Sequence, residues 1–283
     1  MTNSIFDKRK LVIATMHGKE KVLAPLLETA LGVEVIIAED LNTDQWGSFS
    51  GEINRTVDPL ATAKLKCAKA AAITGATLAI ASEGSFGPHP IIGFVAADEE
   101  ILVLIDYENE LEIKAKELST ETNFLGKQIN SLEAAKAFAE QVLFPSHALI
   151  IRNAKDESVE IIKGINNWVS LEKNVSDFLL KYPQVYLETD MRAMHNPSRL
   201  KVIEKACLKL IDKIQQLCKN CGIPGFDVVD VIPGLPCSLC GCPTKSTIAY
   251  VYECQKCKHQ EEEKKYPLGK TTEDPMNCDR CNP

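Results

Sequence analysis

The chain has no apolar run long enough to cross a membrane. Its N-terminus, MTNSIFDKRKLVIAT, puts charges ahead of an apolar stretch too short for a signal-peptide core, which predicts a soluble, cytoplasmic protein with no membrane partner. An excess of positive charge is also missing: the net charge is -7, which argues against a partner held mainly through phosphates. No low-complexity tract interrupts the 283 residues, and 15 glycines and 14 prolines are ordinary numbers, so the whole chain should be ordered. The motifs GxxxxGK[ST], HExxH and GxSxG do not occur, which removes the strongest enzyme signatures.

A chain that is 45% hydrophobic at this length can build one sizeable core and a small appendage. From Leu11 onward, short apolar runs alternate with helical stretches, the pattern of an α/β layered domain. LVIAT, VEVIIA and TLAIAS read as buried strands, and GKEKVLAPLLETALG reads as an intervening helix stopped by Gly32. Asp58 and Pro59 start an alanine-rich helix closed by Gly75. IIGFVAA, ILVLIDY and LEIKAKE suggest an antiparallel part of the same sheet. A helix led by Ser131 and a strand HALIIRN come next, then a helix over 164–182, an extended VYLETD, and a long helix opened by Asn196 and Pro197. The expected fold is thus a layered mixed α/β sheet with flanking helices, followed by a small zinc-ribbon-like module. The expected segments are 1–163 (α/β domain), 164–217 (helical, with a polar cluster LETDMRAMHNPSR) and 218–283 (zinc module).

The most specific signal is the only internal repeat: four Cys-x-x-Cys pairs, Cys218/Cys221, Cys237/Cys240, Cys254/Cys257 and Cys278/Cys281. Two thiolates separated by two residues turn inward from one tight knuckle, and two knuckles complete a tetrahedral Zn2+ site, so these cysteines predict about two structural zinc ions. The segment has too few large apolar residues to fold by burial, so metal binding should supply most of its folding free energy. Disulfides and iron-sulfur ligation are the alternatives. The pairing of knuckles is open between two arrangements. A ribbon would join Cys237/Cys240 to Cys254/Cys257 through a hairpin and leave Cys218/Cys221 with Cys278/Cys281, and sequential pairing would join first with second and third with fourth. Cys242 reads as a spectator, and Cys67 and Cys207 as core residues.

Three segments of the remainder carry candidate chemistry. TMHGKEK joins the first strand to the first helix, where Thr15, backbone N–H groups and Lys19 or Lys21 can hold a phosphate; the alternative is solvated surface lysines. SEGSFGPHP sets Glu83, Ser85 and His89 among glycines and prolines at the C-terminal end of a buried strand, where α/β sheets usually bind ligands; the alternative is a structured turn. The cluster LETDMRAMHNPSR gathers Asp190, Arg192, His195 and Arg199, either to bind an anion or nucleobase or as a salt-bridge network.

A first strand ending in AT-x-x-x-K, an alanine- and lysine-rich helix over 61–72 and a strand leading into an acidic-glycine turn resemble the inosine/xanthosine triphosphate pyrophosphatase superfamily over about the first 150 residues. The resemblance implies Mg2+-dependent chemistry on a nucleotide. Thr15 and Lys19 or Lys21 would hold the triphosphate, Lys64 would assist, Glu83 would carry Mg2+ with Glu39 or Asp40, and Arg192, His195 and Arg199 would contact the base. Ser82-Glu83-Gly84 stands where much of that superfamily has paired aspartates. The whole chain also resembles an uncharacterised bacterial family that joins such a domain to a cysteine-rich tail. Two functions are expected: hydrolysis or binding of a nucleotide or related phosphorylated ligand, or a non-catalytic module that contacts a protein partner. Nucleic acid is the weaker partner, because basic residues in the tail are balanced by acidic ones.

Overall fold

The structure is a computed structural model and describes residues 4–38, 41, 58–156, 158–263 and 269–283. It divides into two compact units, Met1–Ile211 and Asp212–Pro283. Among the described residues, no helix is long and apolar enough to cross a membrane. The expected Mg2+ ligands Glu39 and Asp40 lie outside the described residues.

The first unit is mixed α/β and holds two sheets. In the larger sheet, β1 (Lys10–Ala14), β2 (Glu34–Ile37), β3 (Leu78–Pro88), β4 (Ala96–Asp106) and β5 (Leu111–Ser119) lie in the order β2-β1-β3-β4-β5. The pairs β1/β2 and β1/β3 are parallel, and β3/β4 and β4/β5 are antiparallel. Helix α1 (Glu20–Leu31) ends at Gly32, whose φ of 71° is the left-handed cap that glycine adopts without strain. Helix α2 (Pro59–Thr74) starts where Asp58 accepts hydrogen bonds from the backbone of Leu60 and Ala61. Its small residues Ala63, Cys67 and Ala70 pack against Val12, Ala14, Ala79, Ala81 and Val103.

The second sheet, in the order β6-β9-β7-β8, consists of β6 (Gly126–Ile129), β7 (Leu149–Arg152), β8 (Ile161–Ile165) and β9 (Val185–Thr189), paired antiparallel throughout. It shares an apolar core with α3 (Leu132–Gln141) and α4 (Trp168–Lys181), built around Phe138, Leu149, Leu171 and Phe178. HALIIRN and VYLETD therefore meet in a sheet of their own.

Two local expectations are corrected. The helix expected over 164–182 begins at Trp168 with Asn167 as its cap, because Gly164 has a φ of 73° and belongs to β8. The expected turn SEGSFGPHP is mostly strand: Ser82 to Pro88 continue β3 and pair with Leu102 back to Ala96 of β4. The turn falls later. His89 N–H donates to the carbonyl of Val95 at 2.7 Å, and its Nδ1 accepts from the backbone of Ile91 and Ile92, so IIGFV is a hairpin tip rather than strand.

Helix α5 (Pro197–Gln215) starts in the first unit, and the unit boundary falls within it. The second unit contains a three-stranded antiparallel sheet, β10 (Asp227–Pro233), β11 (Thr247–Glu253) and β12 (Gln260–Glu263), with β11 in the middle.

Candidate functional site

The four cysteine knuckles share one local geometry. The N–H of the residue after each second cysteine donates to the carbonyl of the first: Gly222 to Cys218 at 2.8 Å, Gly241 to Cys237 at 2.9 Å, Lys258 to Cys254 at 3.1 Å and Asn282 to Cys278 at 2.9 Å. Gly222, Gly241 and Lys258 take positive φ to do so, which turns both thiols of each pair to the inside.

Knuckles then pair through the sheet. Cys218, Cys221, Cys254 and Cys257 form one tetrad, and Cys237, Cys240, Cys278 and Cys281 form the other, with the sulfurs of each within 4.8 Å of one another. Neither expected pairing is found. The hairpin partner of TIAYVYE is β10, which precedes the second knuckle, and antiparallel pairing sets Asp227 opposite Glu253 and Pro233 opposite Thr247. The segment entering β10 therefore meets the segment leaving β11, so the first knuckle joins the third and the second is left for the fourth. The 7 residues of β10, which run between the first and second knuckles, span about 23 Å at ~3.3 Å per residue.

The donor geometry suits a tetrahedral metal ion. Metal–sulfur bonds of about 2.3 Å require ligand sulfurs ~3.8 Å apart. Cys218–Cys257 and Cys221–Cys254 are 3.6 Å apart, Cys237–Cys281 is 3.9 Å and Cys240–Cys278 is 3.7 Å. All eleven cysteines are free thiols, and these separations far exceed a disulfide bond of about 2.05 Å. Around the sulfurs, Asn220 Nδ2 donates to Cys257 Sγ at 3.5 Å and Leu239 N–H to Cys237 Sγ at 3.4 Å. Cys242 stays outside the tetrad and accepts from Arg280 Nη1 at 3.3 Å. Glu273 ties the C-terminal segment to the second knuckle: its N–H donates to the Pro236 carbonyl at 2.8 Å, and its carboxylate accepts from Ser246 Oγ at 2.6 Å. Each tetrad can hold one metal ion.

The first unit holds a different assembly, six ionisable side chains buried at the middle of the larger sheet. Lys19, between β1 and α1, is 6% exposed; its Nζ donates to the Ser82 carbonyl at 2.9 Å and to Ser82 Oγ at 2.8 Å. Burial, then the positive Arg199, lowers its pKa to about 8. Lys66 of α2 pairs with Glu83 of β3. Arg199, fully buried in the first turn of α5, pairs through Nε with Glu100 Oε1 at 2.6 Å, donates to the Met191 carbonyl at 2.5 Å and lies 5.2 Å from the Phe86 ring centroid. Gly84 makes room for this pair, since a Cβ there would meet Glu100 Oε1 at 2.5 Å and Arg199 Nη2 at 2.6 Å. Asp98, two residues before Glu100 on β4, is completely buried; burial, then the charge of Glu100, raises its pKa to about 8.

Of the candidates expected from sequence, Lys19, Glu83 and Arg199 thus enter the buried cluster. Thr15 lies nearby in sequence, and its Oγ1 accepts from the His17 backbone at 3.3 Å. Lys21 is exposed on α1. Lys64 does not reach Glu83; it pairs with Glu112 at 2.5 Å at the surface, and Lys66 takes the place expected of it. Ser85 is half-buried in a shallow cavity of 260 Å³ with Phe86, Pro88 and Leu118, and His89 caps the hairpin tip. Asp190, Arg192 and His195 gather around Gly164. Arg192 Nη2 donates to Asp190 Oδ2 at 2.6 Å and the Gly164 N–H to the same oxygen at 3.1 Å, while a Cβ on Gly164 would lie 3.2 Å from His195 Nε2. Desolvation lowers the pKa of His195.

Sequence reasoning missed Lys66, Asp98 and Glu100. The signal was present as periodicity. Lys66 lies three positions after Ala63 and four before Ala70, on the buried stripe of α2, and Asp98 and Glu100 alternate with Leu102 and Leu104 on one face of β4.

A family model described as a domain of unknown function, DUF6671, matches residues 66–283. The chain belongs to that family. The DUF6671 match takes in all eight tetrad cysteines together with Lys66, Glu83, Asp98, Glu100 and Arg199, and it starts after Lys19. No curated protein matches the chain.

Proposed function

We propose that the first unit binds, and with Mg2+ hydrolyses, a nucleotide or related phosphorylated ligand, and that the tetrads hold two structural zinc ions. The observation that carries this reading is the convergence of Lys19, Lys66, Glu83, Asp98, Glu100 and Arg199 at one place on the sheet. Buried ion groups cost folding free energy unless each is closely matched, so six of them in one core are more readily explained by a ligand than by stability. Lys19 and Arg199 supply positive charge suited to phosphate, and Lys19, with its pKa lowered, can also lose a proton near neutral pH. Bound Mg2+ would neutralise phosphate charge and acidify a water. The resemblance to the nucleoside triphosphate pyrophosphatases supports the same substrate class through Lys19 and Glu83.

The test is a panel of nucleoside triphosphates with and without Mg2+. Turnover or binding that Glu83→Gln and Lys19→Met abolish supports the reading, and neither turnover nor binding across the panel removes it.

A second reading has its own observation. Val229 and Val231 of β10 are 57% and 46% exposed, and Leu239 and Met276 near the second tetrad are 74% and 75% exposed. Apolar side chains so placed on a metal-held module suit a protein partner. Binding to DNA or RNA that weakens steeply with salt would instead favour nucleic acid.

A further inference from the structure

Four of the six buried ionisable groups are matched in pairs, Lys66 with Glu83 and Arg199 with Glu100. Lys19 and Asp98 are left over, and they differ. Lys19 Nζ donates to the neutral carbonyl and hydroxyl of Ser82. Asp98 is 0% exposed, and among the described residues neither of its carboxylate oxygens has a hydrogen-bond partner. Oε2 of Glu100, also 0% exposed, has none either. The two residues are separated by one position on β4, so their side chains leave the same face of the strand, and each feels the charge of the other. Three carboxylate oxygens held dry on one strand face without a donor are an unfavourable arrangement that a bound cation would relieve.

We propose that Asp98 and the Oε2 side of Glu100 form a binding site for one hard divalent cation, Mg2+ or Mn2+. The donor set is oxygen only, which selects hard cations over the softer metals suited to the thiol tetrads. Among the described residues no third carboxylate, histidine or cysteine joins the pair at ligand spacing. Two carboxylates are what Mg2+ takes when waters and a ligand's phosphates complete its shell. Lys19 and Arg199, close enough to act on Asp98 electrostatically, would add positive charge for the ligand's phosphate. The cation site deepens the phosphorylated-ligand reading and rests on it for the phosphate alone; its ligands are Asp98 and Glu100, where the sequence points to Glu83.

The test uses the zinc-loaded full chain titrated with Mn2+, with the free ion followed by electron paramagnetic resonance. The expected result is about one bound Mn2+ per chain, displaced by Mg2+. Asp98→Asn should weaken binding at least about tenfold, while Glu99→Gln, on the opposite face of β4 and paired with Lys116, should leave it unchanged. A readout that needs no variant is paramagnetic broadening of amide signals, strongest on β3 at Gly84 and Phe86, which pair with Glu100 and Asp98 of β4. No bound Mn2+, wild-type affinity in Asp98→Asn, or broadening centred elsewhere would overturn the proposal. Cation uptake without turnover of any triphosphate would keep this site and remove the hydrolase reading, and turnover without cation uptake would do the reverse.

Discussion

Leu11, Ile13, Leu23, Leu27, Leu78 and Ile80 are all fully buried in the first unit, whereas the apolar cluster of the second has Cys218, Phe226 and Cys254 as its buried members, two of them metal-site thiols. The first unit has enough apolar surface to fold by burial and spends some of that stability on holding six ionisable groups out of water. The second has little to bury, and its two cysteine tetrads can each hold a metal ion that would supply the missing stability. In the first unit polar groups strain a core that exists without them; in the second they are the core.

The largest expected effect separates the two units directly. Stripping metal with a strong chelator under reducing conditions should unfold β10–β12 and leave β1–β9 folded, since structural zinc contributes ~10–16 kcal/mol in zinc-finger peptides near pH 7. Hydrogen exchange read by mass spectrometry checks this; simultaneous loss of protection in both units would break the contrast. Elemental analysis of the untreated protein should find about two zinc ions per chain.

Next in size is Arg199→Met, which leaves Glu100 buried without its guanidinium. The cost to the first unit should be about 3–5 kcal/mol in urea unfolding, with metal content unchanged. Loss of zinc in this variant would tie the units together more closely than their cores suggest.

A pH titration sharpens the account of the charged core. The carboxyl of Asp98 is raised from 3.8 to about 8, so the fold favours its protonated form; this contribution is full below about pH 4 and is lost as pH rises toward 8. Asp98→Asn should remove a decline of about 3 kcal/mol between pH 5 and 7, measured by denaturation of the zinc-loaded protein without added divalent cation. An equal slope in both proteins would show that burial does not raise the pKa of Asp98. Lys19 acts with the opposite sign at higher pH: its pKa, lowered to about 8, makes stability increase as the medium rises from there toward 10.5.

The smallest effect belongs to Lys64. Its pair with Glu112 is solvent-exposed, so Lys64→Ala should cost less than about 1 kcal/mol, whereas Lys66→Met, two positions along the same helix, should cost several times more because Glu83 is buried. Thermal melts of the two variants side by side would settle which lysine of α2 belongs to the charged core.

The cysteine knuckles were legible because Cys-x-x-Cys is a local geometry: spacing alone brings two thiols to one side, and the glycine after the pair in two of the four supplies the turn. Their pairing was not legible, because it depends on which strand TIAYVYE chooses, and FDVVDVIP was not recognised as that strand. Glu83 and Lys19 were found through motif order, but the neighbours that define their environment were not. Lys66 is separated from Lys64 by two positions, more than half a helical turn, so one faces the sheet and the other the surface. SEGSFGPHP looked like a turn because glycine and proline usually mark one, yet Gly84 is required inside a strand by the close approach of Arg199 and Glu100.

Composition, periodicity and thiol spacing by themselves determined that this chain has an α/β body and a tail of paired thiols able to hold metal, because those properties depend on residues a few positions apart. Tertiary structure decided which knuckles share an ion and which charges share the core of the first unit. Those choices join residues such as Cys218 with Cys257, or Glu100 with Arg199, that are 39 and 99 positions apart. Contacts at that range are set by strand pairing and helix placement, which no local pattern encodes.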